Sequence, residues 1–252
     1  MDPDTRQVTV LDTDGREALA SQLGERPETA ISLHVLRTGD GIALAIGETT
    51  PFAAALVGWS DNLGWPQGYG DPSLIVALLA SYPSWTAVCV ASPDGGAVAS
   101  ARAEHTGRPS RQIAEVYYEL DRPPTGDHSA ARVLDSGDLA VLDPSAAELD
   151  IADPRALLRN CIAAGVVLDD RVVALAHNGA NSTRYGDVGV ATLERYRRRG
   201  FASACGRLVA ARVLESDRVP VWCTGDDNTA SERTATAIGF REVSRRVSVF
   251  SA

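Results

Sequence analysis

Residues 196–202 read YRRRGFA and concentrate positive charge beside a glycine and an alanine. Arg197, Gly200 and Ala202 fall in the spacing R-x-x-G-x-A. A strand-like stretch, residues 187–193 (DVGVATL), leads into this turn, and an apolar stripe at Phe201, Ala204, Leu208, Ala211 and Leu214 predicts a helix after it. A strand that opens through a basic, glycine-containing turn into a helix exposes first-turn N–H groups at the positive end of the helix dipole. The chemistry this suits is the holding of an anion, above all a phosphate or pyrophosphate. Gly200 lets backbone approach the ligand, Ala202 keeps the next turn slim, and the three arginines supply charge.

The elements that must hold this turn continue downstream. Residues 219–224 (VPVWCT) form a short apolar strand. Asn228 then starts a helical run that ends at Gly239-Phe240, with Gly239 in the position of a left-handed helix stop. Together these blocks resemble the GNAT (GCN5-related) N-acetyltransferase family over about residues 131–252. The family's acyl-CoA motif is [Q/R]-x-x-G-x-[G/A], matched by Arg197, Gly200 and Ala202, and its second block is an Asn, a helix and a GF pair. A Ser three residues after the Asn, here Ser231, is similar to the FR47-like and zwittermicin-resistance-like set.

The resemblance implies a site residue by residue. Val190 and Thr192 are expected to offer backbone groups to the pantetheine arm of acetyl-CoA, which pairs like an added strand. Arg197 carries the motif's basic position. Arg198, Arg199, Gly200, Ala202 and Ser203 are expected around the pyrophosphate, and Asn228 at the pantetheine. Acetyl transfer needs a deprotonated amine, a polarised thioester carbonyl and a proton for the leaving sulfur. Asp187 and His177 are the two candidates for the base. Many family members place a Tyr seven residues after the Asn as the acid, but here that residue is Ala235. Ser231, Thr234 and Cys223 are the neighbours that could serve instead, while a helix-start Ser231 that only bonds backbone is the favoured reading of that residue. The implied activity is acetyl transfer to the primary amine of a small molecule. The competing reading is an acyl-CoA-binding sensor or partner-binding module without turnover.

Composition bounds these readings. The chain has 252 residues, 44% of them hydrophobic, and a net charge of -9. An acidic surface argues against nucleic acid as partner. No stretch has the length of a membrane span and residues 1–14 do not resemble a signal peptide, so a cytoplasmic protein is expected. All 24 basic residues are arginine. The four cysteines and four histidines lack metal-ligand spacing, so no metal is expected. A homodimer is compatible with the sequence.

Residues 121–130 (DRPPTGDHSA) have linker composition and divide residues 1–120 from residues 131–252. The first part predicts helices over residues 15–23 and 28–36, capped by Thr13 or Asp14 and opened by Pro27. Strands are expected over 42–46 and 53–59, a helix over 71–81, a hairpin of 85–91 with 97–103, and a strand over 113–120. The expected class is mixed α/β: a GNAT fold with a mostly antiparallel sheet flanked by helices, preceded by a second, smaller and degenerate GNAT-like domain. Residues 60–72, rich in Gly, Pro and aromatics, read equally as a substrate-shaping loop or as a surface loop pinned by its own rings.

Overall fold

The computed structural model describes residues 7–47 and 50–251. The chain forms two compact units. The first holds the chain up to Val116 with Gly225–Asp227 and the C-terminal stretch from Ser244; the second holds Tyr117–Thr224 and Asn228–Val243. The fold is mixed α/β in both, with mostly antiparallel sheets and flanking helices.

In chain order the first unit contains β1 (Val8–Val10), α1 (Thr13–Leu23), α2 (Ala30–Thr38), β2 (Gly41–Ile46), β3 (Ala54–Trp59), β4 (Gln67–Gly70), α3 (Pro72–Ser81), β5 (Ala87–Ala91), α4 (Gly95–Thr106) and the first part of β6 (Gln112–Glu119). Strands β1 to β4 pair antiparallel, and β4 meets β5 in parallel at the single register Gln67↔Cys89. Alternation along the strands feeds two cores. Ala43, Ala45 and Val57 pack with Leu19, Leu33 and Leu36 of α1 and α2, while Leu44, Ile46 and Leu56 pack with Ile75 and Leu78 of α3.

Two local expectations for this unit are corrected. Helix α1 is capped by Asp12, whose Oδ1 accepts from Gly15 N at 2.9 Å, rather than by Thr13 or Asp14. Residues 97–103 are helical (α4), not the second arm of a hairpin. Alanine is the best helix former, so an Ala-rich stretch outweighs a weak two-residue alternation. The Gly95-Gly96 pair does not turn a hairpin; a Cβ on Gly95 would stand 2.3 Å from Val247 Cγ1, so Gly95 lets the helix start pack closely.

The second unit contains β7 (Arg132–Leu134), α5 (Leu139–Leu142), α6 (Pro154–Asn160), β8 (Ala163–Leu168), β9 (Arg171–His177), β10 (Tyr185–Asp187), β11 (Gly189–Thr192), α7 (Phe201–Glu215), β12 (Val219–Gly225) and α8 (Thr229–Ile238). The closing strand β13 (Arg241–Phe250) begins here and ends in the first unit, where it pairs with β5. One sheet runs β11-β9-β8-β7, all antiparallel; β10 runs parallel to β12. Helix α7 packs its buried Cys205, Val209 and Val213 on β8 and β9. Residues 121–130, linker-like in composition, lie against α7: Arg207 Nε donates to Thr125 O at 2.7 Å and Nη2 to Ala237 O at 2.8 Å. Among the described residues no helix is long and apolar enough to cross a membrane.

Candidate functional site: a split strand edge and an uncapped helix start

The expected single strand over residues 187–193 is two strands. β10 follows β12 as far as Asp187↔Val221, and Val188 N still donates to Val221 O at 2.8 Å. The chain then leaves β12, and β11 pairs antiparallel with β9 from Gly189↔His177 to Thr192↔Ala174. Leu193 N donates to Val173 O at 3.0 Å. Antiparallel hydrogen bonding alternates by residue, so Gly189 and Ala191 face β9 while Val190 and Thr192 turn their backbone N–H and C=O to the other side. β11 is the edge of its sheet, so those groups meet the gap that opens where β11 and β12 part.

The turn that follows is built for positive potential. A 3₁₀ turn, Glu194–Tyr196, precedes Arg198 at φ 61° and Gly200 at φ 79°. Left-handed residues of this kind aim successive N–H groups inward. Gly200 is the N-cap of α7 and supplies no side-chain cap, so the first-turn N–H groups of Phe201, Ala202 and Ser203 are left without intrahelical acceptors. A Cβ on Gly200 would meet no atom within 4 Å. Its backbone angle, rather than crowding by the protein, is what calls for glycine.

The arginines in and around the turn divide their work. Arg197 Nε donates to Thr192 O at 3.2 Å and so ties the turn to the strand edge. The guanidinium carbons of Arg195 and Arg199 lie 5.0 and 5.4 Å from the Tyr196 ring centre. Arg199 also lines a cleft of about 350 Å³ with Gly200, Phe201, Ser203, Asp127 and Arg207. Asp127 accepts from Ser129 N and Oγ, which holds its carboxyl below the usual carboxylate range.

The proton-handling candidates separate. Asp187 ends β10, and burial pushes its carboxyl up to about 7. His177 ends β9 directly across from Gly189; a Cβ there would be 3.7 Å from His177 Nε2. Burial lowers the His177 pKa, and its Nδ1 is buried with no partner. Both therefore flank Gly189, the point where the strand splits. Asn228 accepts from Ser231 N at 3.2 Å through Oδ1 and caps α8. Ser231 Oγ receives the Trp222 indole N–H at 3.0 Å, while Thr234 Oγ donates to Ala230 O at 2.8 Å. Ala235 is fully buried. Cys223 is partly buried. The sequence reading missed Trp222, Arg207 and Asp127; Arg207 takes its role from Thr125, far along the chain, whereas Trp222 and Asp127 bond residues nearby in sequence.

The mixed, mostly antiparallel sheet flanked by helices is a GNAT fold, as its likeness to solved structures shows. A GCN5-related N-acetyltransferase-like protein from Streptococcus suis is similar over 93% of this chain and 97% of its own, with 17% identity and a TM-score of 0.67. A GNAT-family acetyltransferase from Novosphingobium aromaticivorans is similar over 90% and 100%, with 19% identity and a TM-score of 0.61. A tandem GNAT protein from the clavulanic acid biosynthesis pathway is similar over 97% and 98%, with 14% identity and a TM-score of 0.57. These likenesses span both units and concern the fold. No curated protein matches the sequence. The GNAT acetyltransferase family model matches residues 153–246, which contain the split strand, the turn and α8. Over that segment the chain is similar to GNAT acetyltransferases.

Proposed function

We propose that the protein is an acetyl-CoA-dependent N-acetyltransferase that moves the acetyl group directly to the primary amine of a small molecule. The observation that carries this reading is the continuity of an open strand edge with an uncapped helix start. The open edge at Val190 and Thr192 leads straight into the free N–H groups of Phe201, Ala202 and Ser203. A long ligand with an amide-bearing arm and a diphosphate end satisfies both. Arg198, Arg199 and Gly200 would surround the diphosphate, Arg197 would hold the turn to the strand, and Asn228 would border the arm. Ser231 in its place after Asn228 supports the FR47-like subgroup.

Bound acetyl-CoA supplies an activated acyl group as a thioester. The remaining work falls to the chain. The Val190 N–H would polarise the thioester carbonyl at the open edge. Asp187, with a pKa of about 7, takes a proton from the incoming amine near neutral pH. His177 stays neutral and borders the same point. The amine nitrogen attacks, the carbon–sulfur bond breaks, and the net reaction gives an amide and a free thiol.

Gly200→Trp tests the reading when set beside Gly200→Ala, which carries the same backbone strain at φ 79° without the bulk; a Cβ there meets no protein atom within 4 Å. Acetyl-CoA affinity by calorimetry should fall more than about 100-fold, as expected when several charge-assisted hydrogen bonds are lost together, with circular dichroism unchanged. Unaltered affinity would sink the proposal. The buried Ala235, which offers no phenol, favours a second reading as an acyl-CoA sensor. Tight acetyl-CoA binding with no thioester loss across a panel of amines would select it.

A further inference from the structure

We infer that Trp222 is a positioning residue that holds the Ser231 hydroxyl as a hydrogen-bond donor to the departing sulfur, in place of a phenol at position 235. This inference rests on the acetyltransferase reading above.

The argument begins with the hydroxyls near the start of α8. Thr234 has already given its proton to Ala230 O. Ser231 is different: its Oγ accepts the Trp222 indole N–H at 3.0 Å, which leaves its own proton to donate. One of its two acceptor lone pairs is used, which narrows the directions open to the remaining O–H. Trp222 itself is immobile. It is 2% exposed, and its ring meets Phe240 edge-on at 5.5 Å. The far side of the indole reaches the α7 wall at Gly206. A Cβ built there would lie 3.5 Å from Trp222 Cζ3 and 3.6 Å from Val190 Cγ1. The same indole therefore touches the floor beneath Val190 and carries Ser231 at its opposite edge. Trp222 and the Val190 side chain thus border the same spot on α7, and the indole links the Ser231 hydroxyl to the surroundings of the strand edge proposed to hold the thioester arm.

The chemistry limits what the hydroxyl can do. Serine is a much weaker acid than a thiol, so it does not surrender its proton to the sulfur. When the carbon–sulfur bond breaks, the electron pair stays on sulfur, and the Ser231 O–H···S hydrogen bond stabilises that charge. The proton that finally neutralises the thiolate balances the one released by the amine to Asp187, exchanged through solvent. The indole N–H donated to Oγ polarises the hydroxyl and strengthens its donation.

The test measures the thiol of bound CoA by its thiolate absorbance during a pH titration, alongside steady-state rates. In the intact protein the bound thiol should titrate below free CoA. Ser231→Ala and Trp222→Phe should each raise it by about one pKa unit, and lower kcat about tenfold with the KM for acetyl-CoA unchanged. The double variant should be no worse than Ser231→Ala alone, since both remove one interaction. Ser231→Thr keeps the hydroxyl and should restore most of the effect. A bound thiol that titrates like free CoA, or a Trp222→Phe variant that loses stability while its thiol pKa stays put, overturns the inference. If wild-type protein binds no CoA, the acetyltransferase reading fails with it.

Discussion

The two units share one plan and treat it oppositely. In each, a strand runs parallel to its neighbour, the pairing stops, and a helix begins. In the second unit the last parallel pair is Asp187↔Val221, residues 188–200 form a split edge and a basic turn, and α7 begins at an uncapped Gly200. In the first unit the last pair is Gln67↔Cys89, only residues 68–71 intervene, and α3 begins at Asp71. Asp71 Oδ1 accepts from Ser73 N at 2.8 Å and Leu74 N at 3.2 Å, so the helix start is filled by the chain's own carboxylate. The opening between β4 and β5 is filled as well. Arg246, 5% exposed, donates through Nη2 to Gly68 O at 2.7 Å and to Cys89 O at 2.8 Å, and lies 4.6 Å from the Tyr69 ring centre. The difference teaches that the fold creates the unsatisfied groups and the sequence decides who satisfies them. In the first unit side chains do so; in the second, on the proposed reading, a bound cofactor does so.

The largest effect should come from removing the plug. Arg246→Met takes donors from two buried carbonyls and a cation from an aromatic face, and should cost about 3 kcal/mol in urea unfolding. The first unit should still bind no acetyl-CoA, because Asp71 continues to occupy the helix start. Calorimetry on this variant should give one acetyl-CoA per chain. A second equivalent bound would break the contrast between the units.

How much of this was open to reading depends on whether the cause is local. The turn at Gly200, the cap at Asn228 and the stop at Gly239, with φ 115°, all obey rules of helix ends, which a few adjacent residues express. The helix opened by Asp71-Pro72 was legible for the same reason. The split at Val188 was not: a two-residue alternation tells which face a side chain takes, but not which neighbour its backbone pairs with. Arg246 sits in the run SRRVSV and resembles any solvent-facing strand arginine until its acceptors, in β4 and β5, are brought to it by the fold. Trp222 and Ser231 are close in sequence, yet their hydrogen bond depends on the path of the turn between β12 and α8.

A smaller effect sharpens the contrast at the last parallel pair, where the second unit has an ionisable Asp187 and the first a neutral Gln67. Burial raises Asp187 to about 7 in the folded protein, against about 3.9 unfolded. Between these values the native state binds the extra proton, so stability is present at low pH and is lost as pH rises toward 7. The loss should be on the order of 2 kcal/mol between pH 5 and pH 7. Asp187→Asn should flatten this dependence and also remove the rise in acetyl-transfer rate through pH 7. A variant that keeps the wild-type pH profile in both would deny Asp187 the role of base.

The smallest effect concerns the sealed helix start itself. The Ser73 hydroxyl, with the Leu74 and Ser73 amides, holds the Asp71 carboxyl below the usual carboxylate range. A depressed folded-state pKa means that the cap contributes above the unfolded pKa and is lost as pH falls through the folded one. Asp71→Ala removes the acceptor and should cost about 1 kcal/mol, the usual worth of an N-cap. Asp71→Gly should cost less, because glycine suits the cap backbone and leaves the amides open to water. That second variant copies the Gly200 arrangement of α7 while keeping Arg246 in the gap. If the strand gap and the helix start are both required for a ligand, Asp71→Gly will still bind one acetyl-CoA per chain. Gain of a second, weak site would instead show that the helix start alone selects the anion and that Arg246 is only a structural strut.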